Sequence, residues 1–160
     1  PIPNDGFLND AFGDAVIDNV KNRGMGFMSL HCTLTMSWKA PKYIDFLGIY
    51  GIIHGPLQKV RVHNLNQDHP ITRGIPEFDI GLDENFGAEI RVPGVTRLYE
   101  TTGYLDKRHD VGAWCRDCGA GRVAGLLGGH TYFAYEDPNY LKMLSRSMYW
   151  TLKRDIPRNG

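Results

Sequence analysis

A chain of 160 residues is long enough to bury one hydrophobic core and too short for several domains of ordinary size, which predicts a single domain over residues 1–160. Lysine plus arginine and aspartate plus glutamate both number 18, so the zero net charge does not favour nucleic acid or an anionic membrane as partner. Apolar residues make up 42% of the chain but are dispersed, and no apolar run is long enough to cross a bilayer. We therefore expect a small-molecule ligand rather than nucleic acid or a membrane.

The cysteines and the first residues bear on the cellular compartment. Three cysteines are too few and too unevenly spaced for a disulfide scaffold, which favours a reducing compartment. The first ten residues lack the basic and then apolar order of a secretory signal, although a signal already removed would leave the same sequence. On these grounds we expect a cytoplasmic protein.

Cys115 and Cys118 form a C-x-x-C pair. A structural zinc site needs a second ligand pair, and none follows at the usual spacing. A redox pair normally opens a helix, whereas this one runs into the glycines at 119 and 121. We interpret the pair as two half-buried thiols that flank a turn.

The amino-terminal part predicts a helix followed by a strand. Apolar residues recur at helical spacing between Asn9 and Lys21, and a glycine at 24 provides a stop. The run Met25 to Leu30 is mostly apolar without strict alternation, which is typical of a central parallel strand covered on both faces. His31 then lies where this strand ends.

Further strands are predicted at Gln58 to Leu65, Thr96 to Thr101, Val111 to Cys115 and Arg122 to Leu127. No helix separates the strands between residues 96 and 114, so an antiparallel piece is expected there. The last helix has the clearest signals, because Asp137 suits the N-cap and a proline follows it. Its predicted apolar stripe consists of Leu141, Leu144, Met148 and Leu152. Strands interleaved with helices indicate an α/β fold.

Two histidines follow predicted strands. In open α/β sheets, ligands bind beyond the carboxyl ends of the strands, which makes His31 and His130 candidates. Imidazole can transfer protons near neutral pH and can bind metals, so either use is open. A lone histidine at a strand end is also often a hydrogen-bonded structural residue, and that alternative stays open for each. If the two strands run parallel, both side chains should meet at one edge of the sheet.

Asp83 and Glu84 supply the acidic counterpart on a segment interpreted as irregular. Neighbouring residues in an extended segment point to opposite sides, so we favour Glu84 as a catalytic base and interpret Asp83 as a cap or turn residue. His54, between nearby glycines, is a further catalytic candidate, with a local loop role as its alternative.

The remaining three histidines are not predicted to belong to the site. His69 precedes a proline and is interpreted as a turn residue, and His63 and His109 are interpreted as solvated.

These segments together resemble the ThuA-like (trehalose utilisation) family, whose fold is similar to class I glutamine amidotransferases. The matching segments are, in chain order, GMGFMSLH at 24–31, His54 ahead of a valine-rich strand, HPITRGI at 69–75, FDIGLDENF at 78–86, and Trp114 followed by GAGRV at 119–123, Gly129-His130 and Trp150. The resemblance implies a flavodoxin-like three-layer α/β sandwich. Two departures stand out: the family's amino-terminal strands are missing, which suggests an N-terminally incomplete copy, and Phe86 stands where many relatives carry tyrosine.

The resemblance also implies a carbohydrate substrate, a disaccharide or keto-sugar, handled by acid/base or metal-assisted chemistry through His31, His54, Glu84 and His130. The cofactor is open, with a divalent metal as one option. The alternative is a non-catalytic sugar-binding or assembly subunit, and aromatics at Trp38, Tyr132, Phe133 and Tyr135 are candidates to stack on sugar rings under both hypotheses. The related fold often carries a cysteine nucleophile, but Leu30 and Leu34 flank Cys32 where small residues are needed, which argues against that role.

The absence of strands before Met25 also bears on partners. An uncovered strand edge is rarely tolerated in a monomer, so we expect a homo-oligomer or a partner subunit, or else a fragment whose missing residues finish the sheet.

Overall fold

The computed structural model describes residues 10–33 and 41–157, which form a six-stranded sheet with helices on both faces. The elements are α1 (Asp10–Arg23), β1 (Gly26–Leu30), α2 (Pro41–Leu47), β2 (Ile49–His63), β3 (Phe78–Ile90), β4 (Thr96–Gly103), β5 (His109–Cys118), β6 (Gly121–Leu126), α3 (Tyr132–Glu136) and α4 (Pro138–Thr151). Among these residues, no helix combines the length and apolar character that a membrane span requires.

The sheet has the strand order β1-β6-β5-β4-β2-β3. β1 and β6 run parallel, as predicted, and the other neighbours are antiparallel, including the predicted pair β4 and β5. The prediction that β1 is central is wrong for the described residues, because β1 lies at the edge and pairs only with β6.

The interpretation of the segment around Asp83 and Glu84 as irregular is also wrong, because residues 78–90 form the regular strand β3. Its glycines, aspartates and asparagine are poor strand formers, and long antiparallel pairing with β2 overrides that local preference. The pairing contains three register shifts, which shows that the hairpin is bent along its length.

Two apolar clusters cover the two faces of the sheet, which confirms the predicted three-layer α/β arrangement. One cluster joins sheet residues such as Ile80 and Leu126 to Tyr140 and Met143 of α4. The other joins Trp114 and further sheet residues to α1 and α2. Burial on both faces explains why the apolar run of β1 shows no alternation.

Trp114 fixes the layer that contains α2. Its indole is fully buried on β5 directly opposite Gly125 of β6, and its Nε1 donates a hydrogen bond to the Leu47 carbonyl oxygen over 3.1 Å. A Cβ at residue 125 would lie 2.3 Å from the indole, so only glycine leaves room for the ring. This contact ties the end of α2 to the centre of the sheet.

The carboxyl-terminal helix confirms the predicted cap but not the predicted face. Asp137 accepts hydrogen bonds from the amides of Asn139 and Tyr140, as expected for an N-cap. The predicted stripe is wrong, because the buried residues are Tyr140, Met143, Ser147 and Thr151. Leu141, Met148 and Leu152 are exposed, and Leu144 is half-buried at the margin of the core. Each buried residue lies one position before a residue of the predicted stripe. The buried stripe contains the large side chains of Tyr140 and Met143, which pack into the core.

The C-x-x-C cysteines lie on opposite faces of β5, because residues three apart in a strand point to opposite sides. Cys115 belongs to the cluster under α4 and Cys118 to the cluster under α1. Both are fully buried rather than half-buried as predicted, and burial raises the pKa of the Cys115 thiol to about 12. The arrangement agrees with inert packing thiols and does not allow the pair to share a metal ion.

The edge position of β1 generates a prediction about assembly. No described strand pairs with the second edge of β1, and the exposed apolar residues of α4 lie on a helix that packs against β1 and β6. We expect the chain to self-associate through this region, and the double substitution Met148→Glu/Leu152→Glu to shift it towards monomer in light scattering. Leu105→Glu, at a 70% exposed leucine between β4 and β5, is the matched control. A monomer at every concentration would contradict the expectation.

Candidate functional site

The structure brings all four predicted site residues together. His31 follows β1 directly, and His130 lies in the loop between β6 and α3. Because β1 and β6 are parallel, their carboxyl ends lie at the same edge of the sheet, and the two imidazoles meet there with His31 Nε2 and His130 Nδ1 3.1 Å apart. Glu84 reaches the same point from β3 and His54 from β2.

Glu84 is the centre of this cluster. Its Oε2 lies 3.2 Å from His130 Nδ1 and 3.5 Å from His31 Nε2, and its Oε1 lies 3.3 Å from His54 Nδ1. The Glu84 side chain is only 13% exposed, whereas those of His54 and His130 are 48% and 39% exposed. The Glu84 carboxylate is thus nearly buried, and the two imidazoles beside it, those of His54 and His130, are accessible to solvent.

His31 is the most constrained member. Its φ of 42° lies in the left-handed region, where a non-glycine residue stores strain, and such strain concentrates at functional sites. Its Nδ1 lies 2.9 Å from the Leu127 carbonyl oxygen, which can only accept, so Nδ1 carries the proton. Burial lowers the pKa of His31 despite this hydrogen bond and the nearby carboxylates. The ring is therefore neutral at pH 7, with an unprotonated Nε2 turned towards Glu84 and His130.

Asp83 holds the loop that carries His130. It is fully buried, and its two carboxylate oxygens accept hydrogen bonds from the amides of Gly129 (2.7 Å) and His130 (2.9 Å). It also accepts from the Glu84 amide over 2.8 Å. This agrees with the interpretation of Asp83 as a structural residue that does not act with Glu84 on one substrate atom. Its partner is a loop 46 residues away, which no local pattern reveals.

Phe86 packs under the imidazoles. Its ring is buried and makes an edge contact with His31, with centroids 4.9 Å apart, and a tilted contact with His54 at 5.7 Å. The aromatic ring therefore orients two site histidines without a hydroxyl group. Sequence reasoning treated Phe86 only as a departure and missed this contact.

The donor set can accommodate a divalent metal ion. One ligand atom each from His31, Glu84 and His130 lies within 4.8 Å of the others. The His31 hydrogen bond to a backbone carbonyl is the outer contact that usually fixes a metal-binding imidazole. Two nitrogen ligands and one carboxylate are typical of zinc and related ions rather than magnesium or calcium.

A family model described as ThuA, trehalose utilisation, matches residues 4–151. The chain belongs to the ThuA family. A ThuA-like protein from Bacteroides uniformis is 19% identical with a TM-score of 0.73, covering 95% of this chain and 67% of that one. One from Parabacteroides merdae is 15% identical with a TM-score of 0.74, covering 93% and 69%.

The fold also occurs inside a larger enzyme. A β-galactosidase from Bacillus circulans sp. alkalophilus is 14% identical with a TM-score of 0.65, covering 91% of this chain and 21% of that one. At these identities the structural likenesses establish the fold alone, and no curated protein matches the chain. The flavodoxin-like class expected from the ThuA resemblance is consistent with these neighbours.

The structure describes some of the predicted sugar-stacking aromatics and Cys32, the cysteine argued not to be a nucleophile. Tyr132 is 63% exposed beside His130 and stacks on Phe133, whereas Trp38 and Leu34 lie outside the described residues. Burial and the nearby Glu84 raise the pKa of Cys32, which keeps its thiol protonated and agrees with a non-nucleophilic cysteine.

The other histidines fall into two groups. His69 accepts a hydrogen bond from the Ile71 amide, as expected for a turn residue. His109 is exposed, in agreement with its interpretation as solvated, and His63 is half-buried, but the interpretation missed that their rings contact each other beside Glu100. Cross-strand pairing brings these residues together, and the sequence contains no local signal for it.

The Asp83 contacts generate a stability prediction. Asp83→Ala removes a buried carboxylate and leaves two amides of the 129–130 loop without their acceptors, and it should lower the free energy of unfolding by about 3 kcal/mol. Asp79→Ala on the same strand is the matched control, because it removes a hydrogen bond from the exposed Tyr104 and partly exposed ion pairs, each pair worth about 1 kcal/mol or less. Urea unfolding measures both, and equal losses would show that Asp83 has no special structural role.

Proposed function

We propose that this ThuA-family chain processes a disaccharide or keto-sugar by general acid/base chemistry, with Glu84 as the base. The observation that carries the proposal is the single, nearly buried carboxylate with three imidazoles within 3.5 Å. Proton transfer is efficient when base and acid are positioned within hydrogen-bond reach of each other and of the substrate. The sugar assignment comes from the family description, and it fits the β-galactosidase neighbour.

The carboxylates of the site favour proton transfer over direct hydrolysis of a glycosidic bond. Most glycoside hydrolases use two carboxyl groups that flank the bond. Here Asp83 is occupied by backbone amides, which leaves Glu84 as the available carboxylate of this cluster. A single base flanked by imidazoles suits removal of a proton next to a carbonyl group, which makes a keto-sugar the better substrate of the two.

The histidines then divide the remaining work. His130 and His54 are accessible to a ligand and can supply or accept the proton on a sugar oxygen. His31 is buried and neutral, and its unprotonated Nε2 accepts a proton from, or orients, His130. In this scheme Glu84 takes the proton from carbon, while an exposed imidazole protonates the carbonyl oxygen.

A divalent metal held by His31, Glu84 and His130 is the metal-assisted form of the same proposal. Such an ion polarises a carbonyl oxygen as a Lewis acid. Glu84 would then serve as a ligand, and His54, outside the ligand set, would be left to move protons.

The second candidate is a non-catalytic sugar-binding subunit. The exposed Tyr132, stacked on Phe133 next to His130, is the observation that favours it, because exposed aromatic faces suit the apolar faces of sugar rings. Both candidates predict sugar binding, and only the first predicts chemical change.

Deuterium exchange distinguishes the catalytic hypothesis from the sugar-binding one. The wild-type chain should catalyse incorporation of deuterium next to the carbonyl of oxidised, keto-form trehalose in D₂O, followed by NMR. Glu84→Gln should slow this exchange by about 10²- to 10⁴-fold with little change in melting temperature. Glu89→Gln, at an exposed position of the same strand, is the matched control and should leave both unchanged.

Other outcomes discriminate among the hypotheses. Undiminished exchange in Glu84→Gln would contradict its role as base, and a large fall in its melting temperature would assign Glu84 a structural role. Binding of the same keto-form trehalose without exchange in the wild type would favour the sugar-binding subunit. Loss of exchange on adding a chelator would favour the metal-assisted form.

A further inference from the structure

A second group of ligating side chains lies on three adjacent strands, away from the Glu84 site. His63 of β2 is paired directly with Glu100 of β4, and Thr102 of β4 is paired with His109 of β5. Paired residues share a face of the sheet, as do residues two apart in a strand, so all four side chains project from one face. His63 lies nine residues beyond His54 on β2, or about 30 Å along an extended strand.

The ligating atoms in this group converge. One atom each from His63, Glu100 and His109 lies within 4.8 Å of the others, and the two imidazoles meet edge to face with centroids 4.8 Å apart. His109 Nε2 lies 2.8 Å from Glu100 Oε2, and His63 Nε2 lies 2.8 Å from the Thr102 hydroxyl. The backbone positions are fixed by strand pairing, so little ordering is needed to bring these atoms together.

The Glu100 carboxylate is held in place by hydrogen bonds. Its side chain is only 12% exposed, the Asn64 amide donates to Oε2 over 2.6 Å, and the Arg97 guanidinium donates to Oε1. Arg97 therefore occupies Oε1, and Oε2 faces both the Asn64 amide and the His109 imidazole.

We propose that His63, Glu100 and His109 bind one divalent transition-metal ion of the zinc class. Two imidazole nitrogens and one carboxylate oxygen match the ligand preferences of zinc, cobalt, nickel and copper, whereas calcium and magnesium prefer oxygen ligands. The His109 side chain is 51% exposed, so the remaining coordination positions are open to water or to a group from another molecule. The site would clamp β2, β4 and β5 together, and it is independent of the function proposed for Glu84.

The test uses Co²⁺ as a spectroscopic probe at pH 7.5, in a Glu84→Gln/His130→Ala background that removes two ligands of the other cluster. This background should bind one equivalent of Co²⁺ with a visible absorption band, and Zn²⁺ should displace it. Adding His109→Ala should weaken Co²⁺ binding by at least about tenfold. Loss of a residue that only hydrogen-bonds to a metal ligand already weakens binding by about that factor, and His109 would be a ligand itself. Adding Glu89→Gln instead, at an exposed carboxylate outside both clusters, is the control and should leave Co²⁺ affinity unchanged.

Two results would overturn the proposal: no Co²⁺ or Zn²⁺ binding by a folded background variant, or undiminished binding after His109→Ala. Circular dichroism without metal establishes that each variant is folded. If the background variant fails to fold, NMR of the wild-type chain replaces it, and substoichiometric Co²⁺ should broaden the ring signals of His63 and His109. Broadening confined to His31 and His130 would equally overturn the proposal.

Discussion

The parallel pairing of β1 with β6 is the constraint on which the site depends. It places the carboxyl ends of two strands side by side and so brings together His31 and His130, which are 99 residues apart in sequence. The buried Asp83 carboxylate adds the second tie, because it binds the 129–130 loop to β3 and sets Glu84 against both imidazoles. Without these two ties, the four polar side chains would be separate features of two loops and two strands.

The chemistry of the ThuA site follows from the hydrogen-bond acceptors that meet at its centre. His31 Nδ1 donates a hydrogen bond to the Leu127 carbonyl oxygen, so the Nε2 that faces the Glu84 carboxyl group is an acceptor, and two acceptors meet at the centre of the site. Such a centre attracts either a proton, as a general base does, or a metal ion. Phe86 below and the buried flank of His31 keep water from one side, while His54 and His130 remain open to a ligand.

The sequence predicted the parts of the fold that carry local signals. Asp137 and its proline marked the start of α4, and the mostly apolar, non-alternating run of β1 indicated burial on both faces. It also pointed to His31, His54, Glu84 and His130, through strand ends and the family motifs. Strand β3 was missed because long-range pairing overrides its composition, and the buried face of α4 was misassigned because apolar residues occupy two adjacent stripes. The His63, Glu100 and His109 group depends on cross-strand register, which no single segment encodes.

The protonation state of His31 tests most directly the claim that this cluster is a single proton- or cation-holding centre. Nitrogen NMR of ¹⁵N-histidine-labelled, chelator-treated protein at pH 7 distinguishes protonated from unprotonated ring nitrogens. The hydrogen bond to Leu127 and the lowered pKa of His31 predict a neutral ring with the proton on Nδ1 and a free lone pair on Nε2. A proton on Nε2, or an imidazolium at this pH, would contradict the account.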